Sequence, residues 1–488
     1  MTLDPTPFPL DHLTMRGEPS APALVADGRT LNYAGLEEMV GRTAATLLAH
    51  GLAPGDRVAS WMGKTELACI LPLAAARAGL VHVPINPVLR RRQAEHILAD
   101  SGASLLIANR ARLATITTNA RTIALEDWQR GNDRLGPSAR DPNELAALLY
   151  TSGSTGRPKG VMLSHANLWL GAVSVAHYLR LTPADCTLCL LPLAFDYGQN
   201  QLLAAWAAGS CAIAFDYLLP RDVLRAVGRH DVTVLAGVPP LWHQLADQAW
   251  GGEGASLTTL TNSGGHLPEP LVRRLRALFP AARLHLMYGL TEAFRSASLD
   301  PALADAHPDS VGTAIPFAEL RIVRADGSIA APGEEGELVH SGPLVAHGYW
   351  NDPARTAERF RDGEVWSGDT MAMGHDGLLR FKGRDDAMIK TSGNRVSPTE
   401  IEEAALASGA MAEAAAFGVA DDKLGQAIVL VGVANGEEPE ERLRAHFAAE
   451  LPAFMRPARI VLIGQMPLGS NGKLDRAALH EMLEGEPR

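Results

Sequence analysis

Between Tyr150 and Gly160 the chain reads "YTSGSTGRPKG", with two serines, two threonines, three glycines and a lysine, directly after the apolar run "LLY". A turn of this composition presents backbone N–H groups and hydroxyl donors to an anion. Gly153, Gly156 and Gly160 let the backbone approach closely. Thr151, Ser152, Ser154 and Thr155 supply O–H donors that need lose no proton, Lys159 adds a fixed positive charge, and Pro158 stiffens the turn beside it. The chemistry this pattern suits is the clamping of a polyphosphate. A Walker A loop requires G-x-x-x-x-G-K-[ST]. Here Lys159 is followed by Gly160 and by no Ser or Thr, so that spacing fails.

Other reactive side chains carry less. Cys186 and Cys189 form a C-x-x-C, but no second C-x-x-C or nearby His pair completes a metal site. They sit in "CTLCLLPL", which reads as a buried strand with small core residues. The densest basic stretch, "LRRRQ" (Leu89 to Gln93), reads as a solvated helix face. With a formal net charge of -11, the chain lacks the basic face of a nucleic-acid binder. The N-terminus has no apolar h-region and no run of ~18 apolar residues occurs, so a soluble, cytoplasmic protein without membrane contact is expected.

These residues need elements to position them. At 488 residues the chain has room for about three units of ~150 residues. "TLNYAGLEEMVGRTAATLLAHG" and "LACILPLAAARAG" have helical spacing and glycine stops, while "DRVASWM" and "VHVPINP" read as strands. Such alternation argues a mostly parallel sheet covered by helices. After the hydroxyl loop the pattern recurs with "CTLCLLPL", "CAIAFD", "VTVLAGVP" and "RLHLMYG" as strands. From about Val311, "AELRIVRADGSIAAPGEEGELVHSG" alternates around Asp-Gly and Pro-Gly turns, as β-hairpins do. A polar segment near Asp385–Asp386 leads into a helix signalled by Ser397-Pro398-Thr399-Glu400, and marks the expected boundary between residues 1–385 and 386–488.

"YTSGSTGRPKGVMLSH" resembles the phosphate loop of the AMP-forming adenylating superfamily: acyl-CoA synthetases, nonribosomal amino-acid adenylation domains and luciferases. "MYGLTEA" (Met287 to Ala293), "VWSGDTM" (Val365 to Met371), "FKGRDDAMIKTSGNRVSPTEIE" (Phe381 to Glu402) and "LGSNGKLDR" (Leu468 to Arg476) are similar to that family's later motifs, in order. The resemblance spans nearly the whole chain. It implies an α/β fold: a large N-terminal domain of two α/β subdomains plus a small β-barrel, then a small mobile α+β C-terminal domain. It also implies a ligase reaction in which a carboxylate attacks the α-phosphate of ATP, giving acyl-AMP and pyrophosphate.

By the same resemblance, Glu292 is the expected Mg²⁺ ligand, since Mg²⁺ prefers carboxylate and phosphate oxygens. Tyr288 stacks on adenine, with the backbone at Ser263-Gly264-Gly265 against the other face. Thr291 donates to the α-phosphate, Asp369 accepts both ribose hydroxyls, and Arg384 reaches ribose or phosphate. Lys473 bridges the substrate carboxylate and the α-phosphate, offsetting charge as two anions meet. Asp386 matches the hinge about which the C-terminal domain turns, withdrawing Lys473 and presenting the segment around Gly393 for a second half-reaction with a thiol.

Where many acyl-CoA synthetases carry a histidine after an aromatic residue, "LPLAFDYGQNQ" has Phe195-Asp196. That pairing resembles the amino-acid adenylation domains, in which the aspartate holds the α-ammonium of the substrate. A lone carboxylate in an apolar pocket is costly unless paired, and either an ammonium substrate or Arg295 can pair it. The implied pocket is completed by Tyr197, Asn200, Thr261, Ser263, Met287, Arg295 and Ser296, a small polar set unsuited to a long acyl chain. Arg295 either pairs with Asp196 or holds a second carboxylate of the substrate. The chain ends soon after Lys473, which implies a stand-alone ligase whose thiol acceptor comes in trans. That acceptor is the phosphopantetheine of an acyl or peptidyl carrier protein, favoured by the amino-acid resemblance, or coenzyme A.

Overall fold

The computed structural model describes residues 3–89, 91–151, 158–384, 389–391, 394–421, 424–451, 453–470 and 472–485. Its strands form three sheets, of six, fourteen and five strands. The first runs in the order Arg121–Ala124, Leu105–Ala108, Arg57–Trp61, Val81–Pro84, Leu145–Thr151, Lys159–Ser164. All its pairs are parallel except the last, which places Thr151 opposite Lys159 across an antiparallel ladder. The hydroxyl-rich segment therefore lies between two strands of this sheet. Its central residues, Ser152, Gly153, Ser154, Thr155 and Gly156, lie outside the described residues.

The helices expected around this sheet form where the capping chemistry allows. Thr65 accepts a hydrogen bond from Ala68 N at the start of Glu66–Ala78, and Gly79 ends that helix with φ 70°. A left-handed C-cap of this kind favours glycine. Asn32 caps Tyr33–Ala49 in the same way by accepting from Gly35 N. Helix Glu66–Ala78 packs on this sheet and helix Tyr33–Ala49 packs on Glu66–Ala78, and between them Ile70, Leu71, Leu36 and Leu47 are inaccessible to solvent. Each large apolar side chain so buried contributes about 1.5–3 kcal/mol.

The second sheet has a parallel centre. Cys211–Ala214, Cys186–Cys189, Val234–Gly237, Thr259–Asn262 and Arg283–Tyr288 lie side by side in that order. It continues through Ala297–Ser298 into an antiparallel series: Ser310–Ala314, Leu379–Arg384, Glu364–Met373, Glu335–Ser341 and Glu319–Val323. The hairpin expected around Asp326-Gly327 pairs Ile322 with Leu338, and this antiparallel segment stands where the small barrel was expected. Cys186 and Cys189 are the two ends of one strand, and all four cysteines are free thiols.

The third sheet starts at Ile389 and uses Ile389–Thr391, Asn394–Val396, Met411–Asp421, Gly425–Ala434 and Arg459–Leu462. Helix Pro398–Ala407 begins after Ser397, with Pro398 in its first turn, as the sequence signal predicts. The boundary and hinge expected at Asp385–Asp386 fall among residues 385–388, outside the described residues. Among the described residues, no helix is long and apolar enough to cross a membrane.

Candidate active site

In open α/β sheets, ligands bind beyond the carboxyl ends of the parallel strands. A cavity of about 970 Å³ opens at that edge of the second sheet. Its walls include residues that follow four of these strands: Leu191, Pro192 and Phe195 to Gly198, then Val238, Ser263 and Gly264, and Gly289 to Glu292. Thr151 and Lys159 from the first sheet, Asp369 from the antiparallel segment, and Lys473 from the C-terminal segment complete it. Residues spread over more than 300 positions of sequence thus share one chamber of a size that suits a nucleotide and a small acid.

One side of the chamber is built around Glu292. Lys159 Nζ donates to Glu292 Oε1 at 3.1 Å and to Tyr349 Oη at 2.7 Å, and Tyr349 Oη donates to the same carboxylate oxygen at 2.7 Å. Burial works against the charge of Glu292, but the Lys159 ammonium and the Tyr349 hydroxyl outweigh it and hold the carboxyl below its usual value. Burial also lowers the proton affinity of Lys159, which Glu292 only partly restores. The second oxygen, Oε2, accepts no hydrogen bond from the described residues. An anionic oxygen facing a cavity in this way fits a hard divalent cation such as Mg²⁺. Thr151 Oγ1 is buried and has no hydrogen-bond partner among the described residues.

Across the chamber, Asp196 opens the helix Asp196–Ala207. Its Oδ1 accepts from Thr291 Oγ1 at 3.0 Å, and its Oδ2 lies 3.7 Å from Arg295 Nη2, too long for a hydrogen bond. Arg295 is 2% exposed. It donates through Nη1 to Ser263 Oγ at 2.6 Å and stacks 4.7 Å above the Tyr197 ring. Asn200, Thr261 and Met287 line a smaller recess behind Tyr197 and Arg295.

Four further expected site residues are placed as follows. Tyr288 directs its hydroxyl to Asp369 Oδ2, and its ring lies 6.4 Å from that of Phe381. Asp369 and Arg384 face each other as paired backbone positions of adjacent strands. Ser296 lines neither cavity: its hydroxyl hydrogen-bonds with His340 Nδ1 at 2.9 Å. Tyr349 was not expected from the sequence. It reaches Glu292 because its backbone bridges to Val161 and Trp350 N donates to Gly160 O. Nothing in "AHGYWN" announces that role, since it depends on a strand almost 190 residues earlier.

Lys473 enters from the turn Gly469–Leu474, which Gly469 N closes by donating to Lys473 O at 2.7 Å. Asn86 Nδ2 holds this turn against the first sheet by donating to Ser470 O at 2.6 Å. The lysine lies over Gly264, whose φ is 80°. Thr151 and Lys159, the Glu292 carboxylate and Lys473 within one chamber supply the hydroxyl, anionic and cationic groups that phosphoryl-transfer chemistry uses.

Sequence and structure comparisons agree with this geometry. Residues 13–350 match the "AMP-binding enzyme" family, and residues 400–473 match the "AMP-binding enzyme C-terminal domain". The L-proline–[L-prolyl-carrier protein] ligase of Pseudomonas fluorescens is 32% identical, over 96% of this chain and 97% of that protein. A feruloyl-CoA synthase from Amycolatopsis is 32% identical over 94% of this chain and 95% of its own length. The crystal structure of ATP-bound MatB from Rhodopseudomonas palustris superposes with a TM-score of 0.89 at 26% identity, covering 98% of this chain and 99% of that one. The chain therefore belongs to the AMP-binding enzyme family and is an adenylate-forming ligase that uses ATP to activate a small carboxylic acid.

Proposed function

We propose that this ligase activates an amino acid and delivers it to the phosphopantetheine thiol of a carrier protein. The substrate carboxylate oxygen attacks the α-phosphorus of ATP, the bond to the β-phosphate oxygen breaks, and pyrophosphate leaves. The thiol sulfur then attacks the acyl carbon, AMP departs and the thiol proton passes to solvent. Lys159 and the hydroxyl turn hold the β- and γ-phosphates, Thr291 and Lys473 meet the α-phosphate, and Asp369 with Arg384 holds the ribose. Glu292 would hold Mg²⁺, which would supply positive charge to the phosphate oxygens. Residues 386–488 turn about Asp386 between the two half-reactions, so that one chamber serves both.

The observation that carries the amino-acid reading is Asp196. Its side chain lines the chamber, and Oδ2 accepts no hydrogen bond among the described residues. An α-ammonium at that oxygen gives the carboxylate its missing partner. The prolyl-carrier ligase relative, which matches along its whole length, supports the carrier acceptor. The test is ATP–pyrophosphate exchange with amino acids against their des-amino counterparts, followed by mass spectrometry of a carrier protein and of CoA after loading. Exchange confined to des-amino acids overturns the amine reading; acylation of CoA alone overturns the carrier reading.

One observation favours a second reading, an acyl-CoA ligase for an acid without an amine. Arg295 stands 3.7 Å from Asp196 and already offers it a counter-charge, and the feruloyl-CoA synthase relative also matches end to end.

A further inference from the structure

Arg295 keeps two donors unused. Among the described residues its Nε and Nη2 are buried with no hydrogen-bond partner, Nη2 lying 3.7 Å from Asp196 Oδ2, while Nη1 is committed to Ser263. Nε–H and the adjacent Nη2–H point the same way from one edge of the planar guanidinium, at the spacing of the two oxygens of a carboxylate. A buried, fully charged guanidinium left half-satisfied is costly. Neighbouring polar atoms are in the same condition. Asn200 Oδ1, Gln201 Nε2 and Thr187 Oγ1 are buried without hydrogen-bond partners among the described residues, and their residues line, with Arg295, the recess behind Tyr197.

The recess itself measures about 30 Å³. A water needs roughly 10–15 Å³ by the same kind of measure, and a benzene-sized guest a cavity on the order of 150 Å³. The recess therefore takes a compact group and no ring, and within its largely apolar lining the unpaired polar atoms mark where a polar end of that group would sit. An apolar side chain of equal size would leave five polar atoms without partners.

We infer that Arg295 reads a second carboxylate at the far end of a short substrate, which makes the acid an acidic amino acid of four or five carbons. This rests on the ligase and amino-acid reading given above. The reacting carboxylate lies between Thr291 and Lys473, the α-ammonium at Asp196 Oδ2, and the distal carboxylate on the free edge of Arg295. Asp196 and the distal carboxylate then share the charge of Arg295 and the ammonium, and the buried site closes electrically neutral.

The test is ATP–pyrophosphate exchange by the full-length enzyme with aspartate and glutamate, their amides, and the apolar isosteres leucine (of aspartate) and homoleucine (of glutamate). One acidic amino acid is expected to exceed its isostere on the order of 100-fold in kcat/KM, because the isostere strands the guanidinium. Arg295→Met is expected to erase that ratio, and Arg295→Lys to restore part of it. The wild-type panel stands without either variant, so misfolding of Arg295→Met leaves the test intact. Equal or better exchange with the isosteres overturns the assignment while leaving the ligase reading untouched. Exchange with des-amino dicarboxylic acids alone overturns the amine component. Absence of exchange with every acid overturns the ligase reading itself and this inference with it.

Discussion

The side chain of Lys473 lies on the bare backbone of Gly264: a Cβ at that glycine would stand 2.5 Å from the lysine Cε and 3.0 Å from Nζ. The glycine also has φ 80°, where other residues are strained. Two distant segments of the chain thus meet where an added Cβ would push aside the end of the lysine side chain. Lys473→Ala is expected to lower ATP–pyrophosphate exchange by about 10²–10³-fold, as loss of a group aimed at developing charge does. Gly264→Ala, which leaves the lysine in the sequence but displaces it, is expected to cost a similar factor. The double variant is expected to be little worse than either alone, since residues acting as a unit are not additive. Full activity in Gly264→Ala would sink this account.

Tyr349 carries the second prediction. It donates to Glu292 and accepts from Lys159, so Tyr349→Phe leaves both charges buried with one bond fewer. The Glu292 carboxyl is held below its unfolded value, so its contribution to stability is present above that unfolded value and is lost as pH falls through the lowered one. Removing the hydroxyl raises the Glu292 pKa. The acidic limb of the exchange profile is therefore expected to move to higher pH, and stability at neutral pH to fall by about 1–3 kcal/mol. A profile superimposable on wild type would contradict this role.

The contrast between Tyr349 and Lys159 marks how far the sequence alone reaches. Lys159 was legible because a local density of hydroxyls and glycines has few purposes, and the alternating helices and strands were legible because their period and caps are local. Tyr349 was not, because its function comes from a backbone bridge to Val161. Ser296 was misdirected for a different reason. Phe294 adopts φ 59° with its side chain fully buried, and a bulky residue is not expected in that region. Its ring fills the space beside Gly171, where even a Cβ would clash. Beyond this bend Arg295 faces the chamber and Ser296 faces His340. No periodicity rule anticipates that switch.

Asp196 gives the third prediction. Asp196→Asn keeps the shape and the bond from Thr291 but removes the charge. If an ammonium sits at Oδ2, kcat/KM for the amino acid is expected to drop about 100-fold, while its des-amino counterpart loses far less. The measured quantity is the ratio of the two in exchange assays. An unchanged ratio would assign Asp196 to Arg295 alone.

The last prediction concerns a cluster far from the chamber. Arg77 is fully shielded from solvent. Its Nε donates to Asp11 Oδ2 at 3.0 Å, and its Nη1 and Nη2 donate to the two Glu37 oxygens at 2.8 and 2.7 Å. Asp11, equally shielded, also accepts from the Ser138 hydroxyl at 2.7 Å and from Ser138 N at 3.0 Å. The cluster ties the N-terminal 3₁₀ turn Leu10–Met15 to helices Tyr33–Ala49 and Glu66–Ala78. Arg77→Met leaves the Asp11 carboxylate buried without a cation, which is expected to cost about 3–5 kcal/mol and to lower the melting temperature by several degrees. Asp11→Asn added to it removes the stranded charge and is expected to return part of that loss, so the double variant melts above Arg77→Met. Exchange activity per folded molecule is expected to stay near wild type in both, because none of these residues lines the chamber. A double variant less stable than Arg77→Met would mean that the hydrogen bonds of Asp11 to Ser138, rather than its pairing with Arg77, hold this corner together.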